Sequence, residues 1–435
     1  MSILNVNKIN PVGGGSTITI AGIASVTNNI SVGNSVTAGS FVGPIEGAVT
    51  GNVTGNADTA SGLSGNPSIN TTGIVTATSF VPTVGQLSHR NVIINGDAKI
   101  SQRATTQGSI TSGGYYAVDR WYVTMDTAGT WTMYQDADVP SGYGFSKSVS
   151  LDVNTANTSL SAGSRAMLSY RLEGQDVQRF CKGTANAKKY ALSFWVKCGK
   201  TGTYVLELFD HDNSRHICKT YTISSANTWE QKKLIFDNET SNAFANDNGK
   251  SLELQFYLAA GSNFTSGTLA TSWASNTNAN RAVGQVNVAD STSNKYFLTG
   301  VQLEVGPVVT PFEHRSFGDE LRRCQRYYQR WKGHSDHNGI GPGRGNGSSG
   351  VFVSVNLMQC LRATPSITNS GIVVFKAGAS STSTTNTPSL TNGSAFDDTS
   401  CIFPMNITGL SGISNNQGGY TVFLSSSDLR LDAEF

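Results

Sequence analysis

Leu192-Ser193-Phe194-Trp195-Val196-Lys197 is the stretch that decides the fold class. In an extended chain Leu192, Phe194 and Val196 share one face, and Ser193, Trp195 and Lys197 share the other. Similar text continues on both sides. Arg120-Trp121-Tyr122-Val123 and residues 146–153, 166–172, 190–197, 203–210, 229–236, 252–259 and 296–304 read as further strands, separated by Gly/Asn/Ser/Asp clusters. Many short strands with polar turns and no helix between them predict an antiparallel sandwich over residues 89–312.

Composition narrows the function classes. The 435 residues hold 31 Lys+Arg against 29 Asp+Glu, a formal charge of +2, and 14% are charged. Ordinary domains carry roughly 25%. That balance argues against a nucleic-acid binder held by phosphate contacts, which needs a surplus of Lys and Arg. No apolar run approaches the ~20 residues that span a bilayer, so membrane insertion is not expected. The opening MSILNVNKINPVGGG lacks the basic and apolar regions of a secretory signal. Cysteines at 181, 198, 218, 324, 360 and 401 form no C-x-x-C pair. They read as small buried thiols in a protein folded in cytosol, with neither a zinc site nor a disulfide framework.

Residues 1–88 differ from the rest. Their charges are Lys8, Glu46 and Asp58, and their aromatics are Phe41 and Phe80. Ile30 with Val36-Thr37-Ala38-Gly39-Ser40-Phe41-Val42 recurs as Ile69 with Val75-Thr76-Ala77-Thr78-Ser79-Phe80-Val81, and VTGN occurs twice in succession between them. A β-branched, nearly uncharged repeat with so few large apolar groups cannot bury a core alone. It must bury its apolar side against neighbouring repeats or identical chains, as a fibrous β-shaft does. A flexible linker is the plainer alternative.

Residues 317–332, FGDELRRCQRYYQRWK, predict one helix within a 313–332 linker. Asp319 and Glu320 suit its first turn, and Arg330 and Lys332 its last. Leu321, Cys324, Tyr328 and Trp331 form an apolar stripe for packing against symmetry mates, with Arg322, Arg323, Arg326 and Arg330 on the solvated side. Arginines so placed also suit an anionic glycan or nucleic acid. After the glycine-rich turn GIGPGRGNGSSG, strands return, and the last ends at the C-terminus, so 333–435 reads as a small β tip domain whose final strand is locked into a sheet. The expected fold class is therefore mainly β: a fibrous shaft at 1–88, a jelly-roll sandwich at 89–312, a short helix and a C-terminal β-domain.

Two flanking motifs carry a family resemblance. Asn91-Val92-Ile93-Ile94-Asn95-Gly96-Asp97, Ile100-Ser101-Gln102-Arg103 and Val118-Asp119-Arg120-Trp121 open the domain. Phe297 to Gly306, Thr310-Pro311-Phe312-Glu313 and Cys324-Gln325-Arg326-Tyr327-Tyr328 close it. Together they resemble a jelly-roll common in bacteriophage tail fibres and related in pattern to carbohydrate-binding modules, with Ser193-Phe194-Trp195-Val196 as the mid-domain match. The VTGN repeats resemble tail-fibre shafts of cyanophage-like viruses. The resemblance implies a homotrimeric virion fibre, assembled in the host cytoplasm, joined to tail or baseplate proteins through residues 1–88. It also implies recognition of a host-surface polysaccharide. The alternatives are a purely structural head fibre or connector, and a polysaccharide-degrading tailspike with two carboxylates in one groove. Modules of this pattern often hold a structural calcium through acids where this chain has Ala98 and Gly300, so the resemblance does not carry that ion over.

Flat rings cover the apolar face of a sugar while polar side chains meet its hydroxyls. The candidates are Trp195, Tyr115, Tyr116, Trp131, Trp229 and Trp273, each weighed against a place in the core. Asp210-His211-Asp212-Asn213 offers oxygen ligands for calcium, Asp210 and Asp212 foremost, against a plain solvated turn. His334 and His337 could meet three-fold copies at a trimer axis, though H-x-x-H is not the H-x-H spacing of such tips. No G-x-S-x-G, H-E-x-x-H or phosphate-cradling loop is present, so no catalytic residue is assigned and no enzyme or cofactor is expected.

Overall fold

The alternation around Trp195 becomes one strand of an antiparallel sandwich. The strands are β1 (Thr106–Ile110), β2 (Gly114–Tyr115), β3 (Trp121–Asp126), β4 (Thr130–Asp136), β5 (Ser148–Thr155), β6 (Arg165–Glu173), β7 (Tyr190–Cys198), β8 (Gly202–Asp210), β9 (Arg215–Ile223), β10 (Glu230–Phe236), β11 (Lys250–Ala260), β12 (Ala274–Ser275) and β13 (Lys295–Val305). One sheet runs β1-β4-β5-β13-β7-β10 and the other β12-β9-β8-β11-β6-β3-β2. The computed structural model describes residues 88–332, 338–371, 373–377, 381–385, 389–392, 401–423 and 427–435. The shaft expected at 1–88 lies outside the described residues up to residue 87, as do His334 and His337.

The in-phase residues meet between the sheets. Leu192, Phe194 and Val196 from one sheet pack with Leu168, Tyr170, Leu254 and Phe256 from the other in one buried cluster. The Phe194 ring meets Phe256 edge-on at 5.2 Å and Tyr221 at 5.1 Å. Each such side chain contributes roughly 1.5–3 kcal/mol when fully removed from water.

The two outer faces are treated differently. On the β8–β11 sheet, Glu207, Gln255 and Tyr257 point away from the core and are nonetheless buried. Residues 261–290 lie across them: Phe264 and Ala282 join Met167, Val205, Cys218 and Tyr257 in a separate apolar cluster. Val286 N–H donates to Thr203 O at 3.0 Å, and Cys218 N–H to Ala270 O at 2.7 Å. The other sheet keeps an opening at Trp195, which remains partly exposed.

Beyond the sandwich the expectations need correction. The helix covers only Phe317–Gln325, capped by Ser316 Oγ, which accepts from Asp319 N–H at 3.2 Å. The remainder is a strand, β14 (Tyr328–Lys332). Helical spacing fits the sequence, but Tyr327 is drawn into the sandwich core, where its hydroxyl donates to Glu173 at 2.6 Å. The next five residues then take up ladder bonds instead. Tyr and Trp suit a half-buried strand. The stripe is therefore used within the chain: Cys324 and Leu321 pack on the sandwich core, Tyr328 lies under the Arg103 guanidinium at 3.8 Å, and Trp331 packs on the C-terminal core. The expected stripe thus packs within the chain, while Phe317 at the start of the helix is exposed. Arg326 and Arg330 are half-buried, paired with Glu173 and Asp428.

Only the end of the glycine-rich stretch, residues 347–349, is a turn. The rest is β15 (Asn338–Asn346), followed by β16 (Gly350–Asn356), β17 (Ser366–Ser370), β18 (Val373–Ala377), β19 (Ser381–Thr385), β20 (Ser389–Asn392), β21 (Ile402–Thr408), β22 (Gly418–Phe423) and β23 (Asp428–Asp432). These form a seven-stranded sheet, β19-β18-β22-β15-β16-β21-β20, and a three-stranded one, β14-β23-β17. The glycines permit close backbone approach: a Cβ at Gly341 would stand 2.0 Å from Ser354 O. The final strand is central in its sheet, as expected. Arg120 pairs with Glu434, and Arg103 with Asp432 at 2.9 Å, joining this C-terminal region to the sandwich. Cys360 and Cys401 form a disulfide across 41 residues, contrary to the expectation of thiols only. Cys198, Cys218 and Cys324 are buried free thiols and Cys181 is half-buried.

Candidate functional site

Trp195 sits on β7 between Thr299 of β13 and Gln231 of β10. Its indole packs on Tyr143, with ring centroids 4.3 Å apart and planes inclined at 48°. Tyr143 is 54% exposed. Beside them Phe145, Phe312 and His314 form a mutual cluster with centroids 4.9–5.3 Å apart. These rings, with Gln231, Lys233 and Thr310 as polar groups, line a cavity of about 380 Å³. An aromatic floor with a few polar side chains is what a neutral, hydroxyl-rich ring needs.

Local sequence builds both walls. Ser141-Gly142-Tyr143-Gly144-Phe145 places two rings from one short loop, because Gly142 and Gly144 take φ of +83° and +77°. Gly300, at φ +61°, leaves room for Phe145, since a Cβ there would lie 2.6 Å from the ring. The space left by the missing Cβ of Gly300 is thus filled by an aromatic ring. The opposite wall, residues 309–314, is pinned from below. Glu304 accepts from Thr310 N–H and Oγ1–H, both at 2.7 Å, and Gln302 donates to Pro311 O at 3.2 Å and accepts from Glu313 N–H at 2.8 Å. Both pinning side chains are buried.

Trp229 lies on the same face but is engaged. Its Nε1–H donates to Asp138 at 2.9 Å, while Lys197 pairs with Asp138 and rests 4.3 Å from the Phe297 centroid. Burial works against charge on Asp138, but hydrogen bonds from Lys197 and Trp229 outweigh it and hold its pKa below the usual range.

The other candidates lie away from this cavity. Trp131 is fully buried and donates to Ala128 O at 2.8 Å, because it is in phase with the core residue Met133. Trp273 packs against the core and donates to Asp237 O at 2.8 Å. Tyr115 lies edge-on to Tyr122 at 5.0 Å between Arg103 and Arg171, and Tyr116 donates to Ser112 O at 2.9 Å. Of the six, Trp195 alone lines the aromatic cavity. Sequence reading missed Tyr143, Phe145, Phe312 and His314; an aromatic residue flanked by glycines in a turn was the available signal.

Calcium does not fit Asp210. Its carboxylate is buried against the Lys182 ammonium at 2.6 Å, which already supplies the positive charge. Asp212 accepts from Ala245 N–H at 2.9 Å, and Asn213 returns to Asp210, as in an ordinary turn. Glu207, His216 and Cys218 also converge beneath residues 261–290. Arg281 donates to Glu207 at 2.9–3.1 Å, and the Tyr257 hydroxyl donates to Glu207 at 3.1 Å, so this cluster too is neutralised by protein. Burial opposes charge on Glu207, yet His216 and Arg281 keep its pKa low.

No family model matches the chain. No curated protein matches it either. Solved structures similar to it include the enzymatically active domain of tailspike protein 4 from bacteriophage CBA120, 16% identical with a TM-score of 0.27, the match covering 49% of this chain and 21% of that one. The chain thus spans about a fifth of that tailspike's length. A putative sugar-binding protein from Bacteroides thetaiotaomicron is 12% identical, with a TM-score of 0.28, covering 50% of this chain and 100% of that one. A family 11 carbohydrate-binding module from Clostridium thermocellum, solved with a β-1,3-1,4-mixed-linked tetrasaccharide, is 10% identical, with a TM-score of 0.24 and coverages of 48% and 99%. At these TM-scores the likenesses carry no functional weight, and function rests on the geometry of the site.

Proposed function

We propose that this chain is a virion fibre protein whose sandwich holds a host-surface glycan non-covalently through the face around Trp195 and Tyr143. One observation carries the glycan part: an indole and a half-exposed phenol pack together on an open sheet face, with Gln231, Lys233 and Thr310 at its edge. Burying either ring in water's absence suits the apolar face of a pyranose, and the edge groups suit its hydroxyls. The residues lining the cavity include no carboxylate, which favours holding a glycan over hydrolysing it. Single-site affinity is then modest, and many copies supply avidity. The fibre part rests on the sequence: the low-charge repeats of 1–88 as attachment and shaft, and a trimer as the closed symmetry that gives them a shared interior.

Two measurements test it. A glycan array probed with the full chain is expected to show binding to a restricted set of saccharides; no binding to any would overturn the glycan part. Mass in solution and immunolabelling of particles are expected to give a trimer on the tail; a monomer, or location on the capsid, would overturn the fibre part.

A further inference from the structure

The extended segment leading from β13 to the helix has two sides. Phe312 and His314 face the aromatic cavity, whereas Arg315 lines a different one. This second cavity, about 350 Å³, lies between residues 89–94, residues 176–179 and the helix Phe317–Gln325. Arg179, Arg315, Arg322, Arg323 and Arg326 converge on it, against Asp176 and Asp319.

The five guanidinium groups do not have equal freedom. Arg315 is fixed by Ile93 O at 3.0 Å and by Glu313 and Glu320 at 3.3 and 3.5 Å. Arg326 is held by both oxygens of Glu173 at 2.8 Å. Arg179 donates to His89 O at 2.6 Å. Arg322 and Arg323 enter no ion pair among the described residues. Asp319, at the helix start, accepts a hydrogen bond from the Ser316 hydroxyl at 2.7 Å and keeps its negative charge at the cavity edge. Asp176 and Asp319 are the two carboxylates among the lining residues. Burial and the neighbouring Glu173 carboxylate push the Asp176 pKa up. Burial, and then the nearby Arg315 and Arg323, press the Arg179 pKa down, although Asp176 opposes them. Crowded like charges of this kind are relieved by an anion.

We infer that this arginine-lined cavity is a second binding site, for one acidic unit of a saccharide carrying a carboxylate or sulfate. Arg322 and Arg323 supply the free fork-shaped donors that grip a planar or tetrahedral oxyanion, and the ion-paired Arg315 and Arg326 form a rigid wall behind them. The cavity size lies at the small end of ligand pockets and suits one sugar ring, not a polymer. The saccharide nature of the ligand rests on the proposed glycan recognition; the cavity and its charge do not.

The test is calorimetric titration of the full chain with an oligogalacturonate, a heparin-derived oligosaccharide, a neutral cello-oligosaccharide, sodium sulfate and a DNA oligonucleotide. At least one of the two acidic saccharides is expected to bind, to weaken from about 50 to about 500 mM salt, and to lose about tenfold or more in affinity in Arg322→Gln/Arg323→Gln. Neither residue is in an ion pair that holds the fold, and circular dichroism and the unfolding midpoint of the double variant are expected to match the parent. Trp195→Ala is expected to leave this binding intact, which separates it from the aromatic face. Acidic saccharide binding unchanged in the double variant would overturn the site, as would no acidic binding at low salt. Binding of sulfate or DNA without either saccharide would overturn the ligand assignment. Array hits for neutral glycans would persist in all those cases if only the aromatic face were correct.

Discussion

The two outer faces of the sandwich start from one rule and end differently. On the β8–β11 face Glu207, Gln255 and Tyr257 alternate outward, but residues 261–290 cross them and Arg281 neutralises Glu207. On the β7–β13 face Trp195 alternates outward, and residues 141–145 and 309–314 flank it without closing over it, so Tyr143 stays exposed beside it. Period-two spacing assigns a side chain to a face. Whether that face becomes interior or surface is decided by the chain segment that crosses it. The covered face ties its polar groups together internally, and the open one leaves its rings accessible.

The largest effect is expected where the cover is breached. Arg281→Ala leaves Glu207 buried without its main charge partner and is expected to cost about 3–5 kcal/mol, read as a fall in the urea midpoint. A loss under about 1 kcal/mol would mean residues 261–290 do not seal that face.

Next comes the acid limb of stability. Glu253 lies on the same covered face; burial would raise its pKa, but His211, at 2.7 Å, and Arg171 bring it down from 4.5 to about 2. A carboxyl depressed by folding contributes stability that is complete above its unfolded pKa and is lost as pH falls through the folded value. Stability is therefore expected to decline from pH 4.5 towards about 2, and Glu253→Gln to flatten that decline. An equally steep acid limb in the variant would contradict this linkage. The smallest effect on folding is expected from the open face: Trp195→Ala changes the unfolding free energy by less than about 1 kcal/mol. A cost of the size usual for a buried Trp, about 3–5 kcal/mol, would show that Trp195 belongs to the core after all.

Part of this contrast was legible in the sequence. Trp195 is out of phase with Leu192, Phe194 and Val196, which marks it as outward-facing, whereas for Trp131 only the fold shows that it is in phase with the buried Met133. The sandwich follows from the same alternation. Other features depend on residues far apart. Leu321, Cys324, Tyr328 and Trp331 satisfy helical spacing, yet Tyr327 finds its partner at Glu173 and β14 finds β23, so the helix stops early. The Cys360–Cys401 pairing has no spacing signature. The aromatic cavity joins a loop at 141–145, a strand at 195 and a segment at 309–314, and only the folded register brings them together.

The most direct measurement is titration of Trp195→Ala with the best saccharide from the array, beside the parent chain. Loss of a packed aromatic platform is expected to weaken binding about tenfold or more, with the unfolding midpoint nearly unchanged. Equal affinity in the folded variant would contradict the assignment of the open face as the glycan-binding surface.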